Sequence, residues 1–344
     1  MRNPIFVALL GLFVIGLNPA ATAAERCLGK KGDVVGTSGK DKLKGTSGND
    51  VIIGGDGTDR IDGAGGNDLI CAGKGHDLVR GQAGNDQIDG GPGSDFLQGH
   101  DGDDVLVGAA GGDTLISGNG NDIMRAGSSA FDFLLGGAGD DTYDGGGGAT
   151  DVASLENAPV GVTVDLGIGT PQNSGEGLDT FLGVEGLVGS EFNDVIRGHD
   201  VVAEVGNGLF GLDGSDTLLG LEGNDFVVGG AGNDNVGAAL DGGAGNDQVF
   251  GDEVEDFFLT TGGDDDLYGG TGDDFLDGGG NFTGPPTGDY GNGGPHAAGD
   301  ECRGLEDATT TECERFSRTT SRATASWHAL ESVQAWLTAL KRMA

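Results

Sequence analysis

Residues 36–125 divide without a gap into ten nine-residue units, beginning Gly36-Thr37-Ser38-Gly39-Lys40-Asp41-Lys42-Leu43-Lys44 and ending Ser117-Gly118-Asn119-Gly120-Asn121-Asp122-Ile123-Met124-Arg125. A fixed period of this kind decides the architecture before local propensity is consulted. The fourth position is glycine in every unit, from Gly39 to Gly120. The sixth is always aspartate: Asp41, Asp50, Asp59, Asp68, Asp77, Asp86, Asp95, Asp104, Asp113 and Asp122. The eighth is always apolar: Leu43, Ile52, Ile61, Ile70, Val79, Ile88, Leu97, Leu106, Leu115 and Met124.

Each place has a physical task. A glycine permits positive φ and close backbone approach, so the first six residues suit a tight turn. The three residues after the aspartate make a short strand whose middle residue faces one way and its neighbours the other. Such a unit buries one apolar side chain and cannot fold alone. Stacked with two units per coil, units n and n+2 lie above one another and their turns face across a gap. Aspartate oxygens and turn carbonyls line that gap. Six to eight hard oxygens at about 2.3–2.6 Å suit calcium, whereas the strict octahedron of magnesium fits a backbone cage poorly.

These residues resemble the RTX, or haemolysin-type, calcium-binding repeat, G-G-x-G-x-D-x-U-x. Gly54-Gly55-Asp56-Gly57-Thr58-Asp59-Arg60-Ile61-Asp62 matches it at every fixed position. The resemblance spans roughly 36–280 and implies an all-β fold, a right-handed parallel β-roll, with calcium held by the sixth-position aspartates and backbone carbonyls. Departures cluster at the second position (Thr37, Thr46, Ala64, Gln82, His100, Ala109), with Ala72 and Ser117 at the first. They are expected to weaken individual sites without changing the fold. After an inserted residue near Ala126 the register resumes with Asp132 and Asp141. In the unit Gly145–Ala153 the sixth position is Thr150, so a ligand is expected to be lost there. Residues 154–188 carry no nonapeptide and are expected to be a metal-free interruption, either solenoid packed by side chains or a boundary between two rolls. A second, less regular array over 189–280 supplies Asp194, Asp216, Asp225, Asp234, Asp247, Asp265 and Asp274, with Ile196, Leu218, Val227, Val236, Val249, Leu267 and Leu276 facing inward.

The formal charge of −38 makes a calcium-free chain repel itself. With no basic patch in the repeats, nucleic acid is excluded as a partner. Residues 1–23 read as a secretory signal: Arg2, the apolar run Ile5–Leu17, then Ala21-Thr22-Ala23. That run is shorter than the roughly 20 residues of a membrane span, so no transmembrane segment is expected. The four cysteines suit an oxidising compartment and allow three pairings. Cys27–Cys71 and Cys302–Cys313 keep each bridge local to one end of the arrays, the second in a Gly/Pro loop and cap at 281–314. The basic tail 315–344 places Trp327, Leu330, Val333, Trp336, Leu337 and Leu340 at helical spacing. A short carboxyl-terminal helix is expected, capping the open end of the roll or meeting a membrane surface or partner.

No H-E-x-x-H or G-x-S-x-G occurs, and calcium explains the paired carboxylates. The expectation is a secreted, extracellular calcium-binding protein that is not an enzyme, folds on calcium and has a structural or cell-surface or matrix-binding role. An extracellular enzyme acting on polysaccharide from a solenoid face is the alternative, and a haemolysin-like toxin a weaker one.

Overall fold

The computed structural model describes residues 26–251, apart from 129–130, 149, 201–205, 233, 235–239 and 245, and five further strands: Asp266–Tyr268, Phe275–Asp277, Tyr290–Asn292, Glu301–Arg303 and Arg315–Phe316. The signal segment 1–23, the helical tail, Asp265, Asp274 and the Cys302–Cys313 pair lie outside the described side chains.

Among the described residues every element is a β-strand, and nearly every pairing is parallel. Leu97 pairs with Val79 on one side and Leu115 on the other, which is the predicted advance of two units per coil. The strands stack into two walls. One is long, with fourteen strands running from Lys42–Lys44 to Arg315–Phe316. Facing it are a nine-stranded sheet that begins at Val34–Val35 and, further on, a six-stranded sheet that ends at Tyr290–Asn292.

The eighth-position residues form one core along the axis. Ile52, Leu97, Leu106, Leu115, Met124 and Leu134 are fully buried, and the same cluster continues through Leu187, Leu209, Leu218 and Val227. Tyr143 and Phe181 take this place on successive rungs and stack with ring centroids 4.9 Å apart. Because each unit contributes one such side chain, the core is one residue deep. In the second array Leu240 pairs with Leu218 and fills the rung expected for Val236, which is outside the described residues.

Residues 154–188 do not divide the roll. The long wall passes straight through them, Asp151–Ser154 pairing with Gly186–Val188 and those with Gly208–Gly214. Only the facing wall changes, from the nine-stranded sheet to the six-stranded one that starts at Thr163–Asp165. Leu155, Val162, Val164, Leu166 and Val184 fill the hand-over and belong to the main core. The stretch is thus solenoid packed by side chains on one side and a sheet boundary on the other. The residue inserted near Ala126 leaves aspartates 113 and 132 nineteen residues apart rather than eighteen, and the pairing of Ile123–Gly127 with Thr142–Gly146 stays in register.

The second-position departures leave the backbone unaltered in most units. Gln82, His100 and Ala109 adopt φ of 83°, 81° and 81°, the same left-handed region as Gly91 at 93°. An L-residue there costs about 1–2 kcal/mol. Thr37 and Thr46 are different, as described below.

The amino-terminal hairpin, Arg26–Cys27 with Lys30–Lys31, is antiparallel and lies over the start of the nine-stranded sheet. Cys27 is buried with Ile53 and Leu69 in a small cluster and is bonded to Cys71, as the sequence suggested. The bridge closes a loop of separation 44. Replacing Cys27 and Cys71 together by serine is expected to lower stability by about 4 kcal/mol through the loop-closure term. Urea unfolding of the calcium-saturated protein measures this, and an unchanged midpoint would show that packing alone holds the hairpin.

Candidate metal centre

Each strand is entered from a turn that ends in an aspartate, and the stacking of coils puts these aspartates in two columns. One column precedes the long wall: Asp41, Asp59, Asp77, Asp95, Asp113, Asp132 and Asp151. The other precedes the facing wall: Asp50, Asp68, Asp86, Asp104, Asp122, Asp141 and Asp179. Within a column each carboxylate reaches back one coil. The Asp68 amide donates to Asp86 Oδ1 at 2.7 Å, and the Asp86 amide donates to Asp104 Oδ1 at 2.7 Å. One oxygen of each aspartate therefore serves as a rung of the stack.

The second oxygen has a different fate. Oδ2 of Asp59, Asp68, Asp77, Asp86, Asp95, Asp104, Asp113 and Asp141 is buried and accepts no hydrogen bond. In the units of Asp59, Asp68, Asp104 and Asp113 it turns towards the first-position glycine and towards a backbone carbonyl one coil on, whereas Asp77 has Ala72 at that position and Asp141 has the Tyr143 hydroxyl beside Gly136. A Cβ on Gly108 would stand 2.7 Å from the Ala126 carbonyl oxygen and next to Asp113 Oδ2. A Cβ on Gly54 would stand 2.9 Å from Asp59 Oδ2. The missing side chain leaves a small cradle lined by hard oxygens, with an anion aimed into it. A buried carboxylate oxygen without a donor is costly, and a cation of oxygen-loving character satisfies it. Among the described residues no three His, Cys, Asp or Glu side chains converge, so such a cation would depend on backbone carbonyls as much as on carboxylates.

Asp41, Asp50 and Asp194 do not share this arrangement. The Thr37 amide and hydroxyl donate to Asp41 Oδ2 at 2.6 and 2.9 Å, and those of Thr46 donate to Asp50 Oδ2 at the same distances. The Ser190 amide donates to Asp194 Oδ2 at 2.6 Å and its hydroxyl to Oδ1 at 2.7 Å. A hydroxyl residue at the second position, where the other turns are left-handed, closes the turn onto its own carboxylate.

Three acidic residues outside the nonapeptide register complete the columns. Asp151, not the Thr150 position, accepts the Asp132 amide at 3.0 Å. Asp179 accepts the Asp141 amide at 2.8 Å across thirty-eight residues, and Glu185 accepts that of Asp151 at 2.8 Å. The carboxylate expected to be lost near Thr150 is present one residue later, and both columns run on into the stretch expected to be an interruption. In the second array Asp216 accepts from Asp194, Asp234 from Asp216 and Asp247 from Asp225, while Asn207 stands in for an aspartate beneath Asp225. A further ladder occupies the fifth position on one edge: Asn67 donates to Asn49 Oδ1, Asn85 to Asn67, and Asn121 to Asp103. Its signal was an Asn or Asp at every second unit.

Removal from water raises the columns' carboxyl pKa values. Burial, helped by the charges of Asp122, Asp86 and Asp103, pushes Asp104 up to about 8 against the pull of the Asp86 amide. Asp141 and Asp151 are pushed to about 8 and Asp113 to about 7, again chiefly by burial. Asp68, Asp86 and Asp95 reach about 6 for the same reason. An unfolded aspartate titrates near 3.9. Between roughly pH 4 and pH 8 the folded, metal-free chain therefore binds more protons than the unfolded one, and its stability falls as pH rises through that window. In EDTA the β-signal in circular dichroism is expected to grow as pH is lowered from 8 to 5. A flat EDTA profile would show that the columns do not govern folding.

A family model described as RTX calcium-binding nonapeptide repeat (4 copies) matches residues 35–70, 72–97, 98–130, 126–151, 209–237, 239–258 and 259–281. No curated protein matches the chain at a significant level.

Proposed function

The chain belongs to the RTX calcium-binding nonapeptide-repeat family, whose repeats cover more than half of it, and on that premise we propose that it is a secreted, non-catalytic protein whose folding is set by extracellular calcium. The observation that carries this reading is the run of buried aspartate oxygens without a donor in both columns, among them Asp59, Asp68, Asp86, Asp104 and Asp113. A core one residue deep and an interior lined with anions would not hold together in their ionised form.

The residues named above divide the work. Oδ1 of each aspartate binds the amide of the coil before it, which sets the spacing of the turns. Oδ2, the first-position glycine and the carbonyl one coil on form the cradle that would hold the ion. Bound there, calcium supplies the positive charge that offsets the buried carboxylates. Extracellular modules of this kind hold calcium at about 10⁻⁴–10⁻³ M, so the chain would remain unfolded where calcium is scarce and fold outside the cell. The signal-like segment 1–23 supports export. A rigid acidic rod suits a role in the cell surface or matrix. Among the described residues no helix is long and apolar enough to cross a membrane.

Circular dichroism during a calcium titration at pH 8 tests the reading, with a cooperative gain of β-structure expected; a chain already folded in EDTA at that pH would sink it. The columns also distinguish their members. Asp68→Ala and Asp86→Ala should each raise the calcium midpoint, since each removes both a rung and a cradle oxygen. Asp50→Ala should move it much less, because Thr46 already holds Asp50 Oδ2. Equal shifts for Asp86→Ala and Asp50→Ala would show that the hydroxyl-closed turns bind calcium like the others.

A further inference from the structure

Where the nine-stranded sheet ends, one cradle is lined differently from the rest. In the regular units the oxygen that joins Oδ2 beside the first-position glycine is a backbone carbonyl one coil on. A Cβ on Gly63 would stand 2.7 Å from the Gly81 carbonyl oxygen, and one on Gly229 would stand 2.6 Å from that of Gly251. Beside Gly136 the oxygens nearest such a Cβ are Asp141 Oδ2, at 2.6 Å, and the hydroxyl of Tyr143. The phenol has the carbonyl's place. This happens where the chain reaches the next coil by another route. Asp179 follows Asp141 in its column thirty-eight residues on, and its turn is entered from Gln172–Asn173, which runs antiparallel to Leu178–Leu182. In the regular array the turns of this column are entered from strands of the long wall.

The Tyr143 hydroxyl has no other employment. The residue is fully buried and its oxygen makes no hydrogen bond, although Asp141 Oδ2, equally without a donor, faces the same small space. Stacking on Phe181 holds the ring, so the hydroxyl does not swing out to water. In the ten regular units the eighth position carries Leu, Ile, Val or Met, none of which brings an oxygen. The charges of Asp179 and Glu176 act on both Asp141 and Tyr143 and add to the negative potential there. Two buried oxygens that flank one space without bonding each other are both satisfied by a cation between them. We propose that Tyr143 is a calcium ligand, its phenol oxygen standing beside Asp141 Oδ2 in the place that a turn carbonyl fills elsewhere. The proposal rests on the calcium reading above and extends it to a side chain of the core. It keeps an ion at the point where the regular turns of the facing wall stop.

Terbium accepts the oxygen ligands of calcium and emits when a phenol close to it is excited, so it reads this contact. In the full chain at pH 8, tyrosine-excited terbium emission should fall in Tyr143→Phe, which keeps the ring and its stack and removes only the oxygen. Tyr268, Tyr290 and the two tryptophans give the same background in both proteins. Equilibrium dialysis should find one calcium ion fewer on Tyr143→Phe, with the circular dichroism of the loaded roll unchanged. Should Tyr143→Phe disturb the roll, Asp141→Asn tests the site from its other side, since the amide oxygen can still accept the Asp122 amide. It should remove the same ion and the same part of the emission. Unchanged emission and uptake in Tyr143→Phe, beside normal uptake by the unsubstituted chain, would overturn this proposal alone. So would a gain of one ion, because the hydroxyl would then be filling the space that an ion takes. An unsubstituted chain that binds neither calcium nor terbium would overturn the calcium reading and this site with it.

Discussion

The roll depends on a carboxylate that faces two ways. Through Oδ1, each aspartate accepts the amide of the aspartate one coil earlier and so joins the coils at their edges. Through Oδ2, Asp59, Asp68, Asp86, Asp104 and Asp113 among others carry their charge into a buried place where no hydrogen-bond donor waits. The two roles cannot be separated, because the geometry that makes the rung also buries the charge. Where a neutral Asn207 stands in the stack, its backbone amide donates to Asp225 Oδ1 as any residue's could, while its own side-chain oxygen accepts from the His199 amide. The place for calcium, and any requirement for it, thus lies within the ladder of aspartates itself.

That requirement explains why so thin a core suffices. Each nine-residue unit contributes one buried aliphatic side chain, from Ile52 and Leu97 through to Val249, and long stretches of turn contribute none. Hydrophobic burial on that scale falls short of the conformational entropy of ordering nine residues. The balance comes from ladder hydrogen bonds along both walls and from neutralising the columns. Where the columns become irregular the structure turns to other means. Tyr143 stacks on Phe181 as the facing wall ends, and the outer face of the long wall becomes apolar over the same stretch. The second half of the roll thus depends more on side-chain packing than the first.

Much of this was legible because position and chemistry repeat together. The inward residues of the first array, the two-unit coil and the Cys27–Cys71 bridge all follow from spacing. What escaped did so for definite reasons. Asp151, Asp179 and Glu185 stand outside the nine-residue count that marks the regular units. The stack requires less: in Asp151-Val152-Ala153 and Asp179-Thr180-Phe181 a carboxylate stands two residues before an inward side chain, and the turn ahead of it is free to lengthen. Leu240 in place of Val236 reflects the same freedom. The threonines at 37 and 46 looked like weakened glycines, since sequence does not disclose φ. Their hydroxyls in fact provide a different partner for the carboxylate.

The placement of those hydroxyls gives the roll a direction. Every later aspartate accepts the amide of a column neighbour one coil earlier, but Asp41 and Asp50 are the first aspartates of their columns; Asp41 precedes the first strand of its wall, and before Asp50 lies only the short strand Val34–Val35, which carries no column aspartate. There the turn closes on itself through Thr37 and Thr46. The first coil is made from local hydrogen bonds and is fastened by the hairpin and its disulfide. Ser190 repeats the device just after the six-stranded sheet takes over as the facing wall. Each hydroxyl-closed turn therefore sits near the start of a column, where a coil must take shape before the next can rest on it. The hydroxyl-closed turns thus carry carboxylates satisfied within their own unit at the amino-terminal edge of each array, and the carboxylates left with an unpartnered oxygen stand downstream of them.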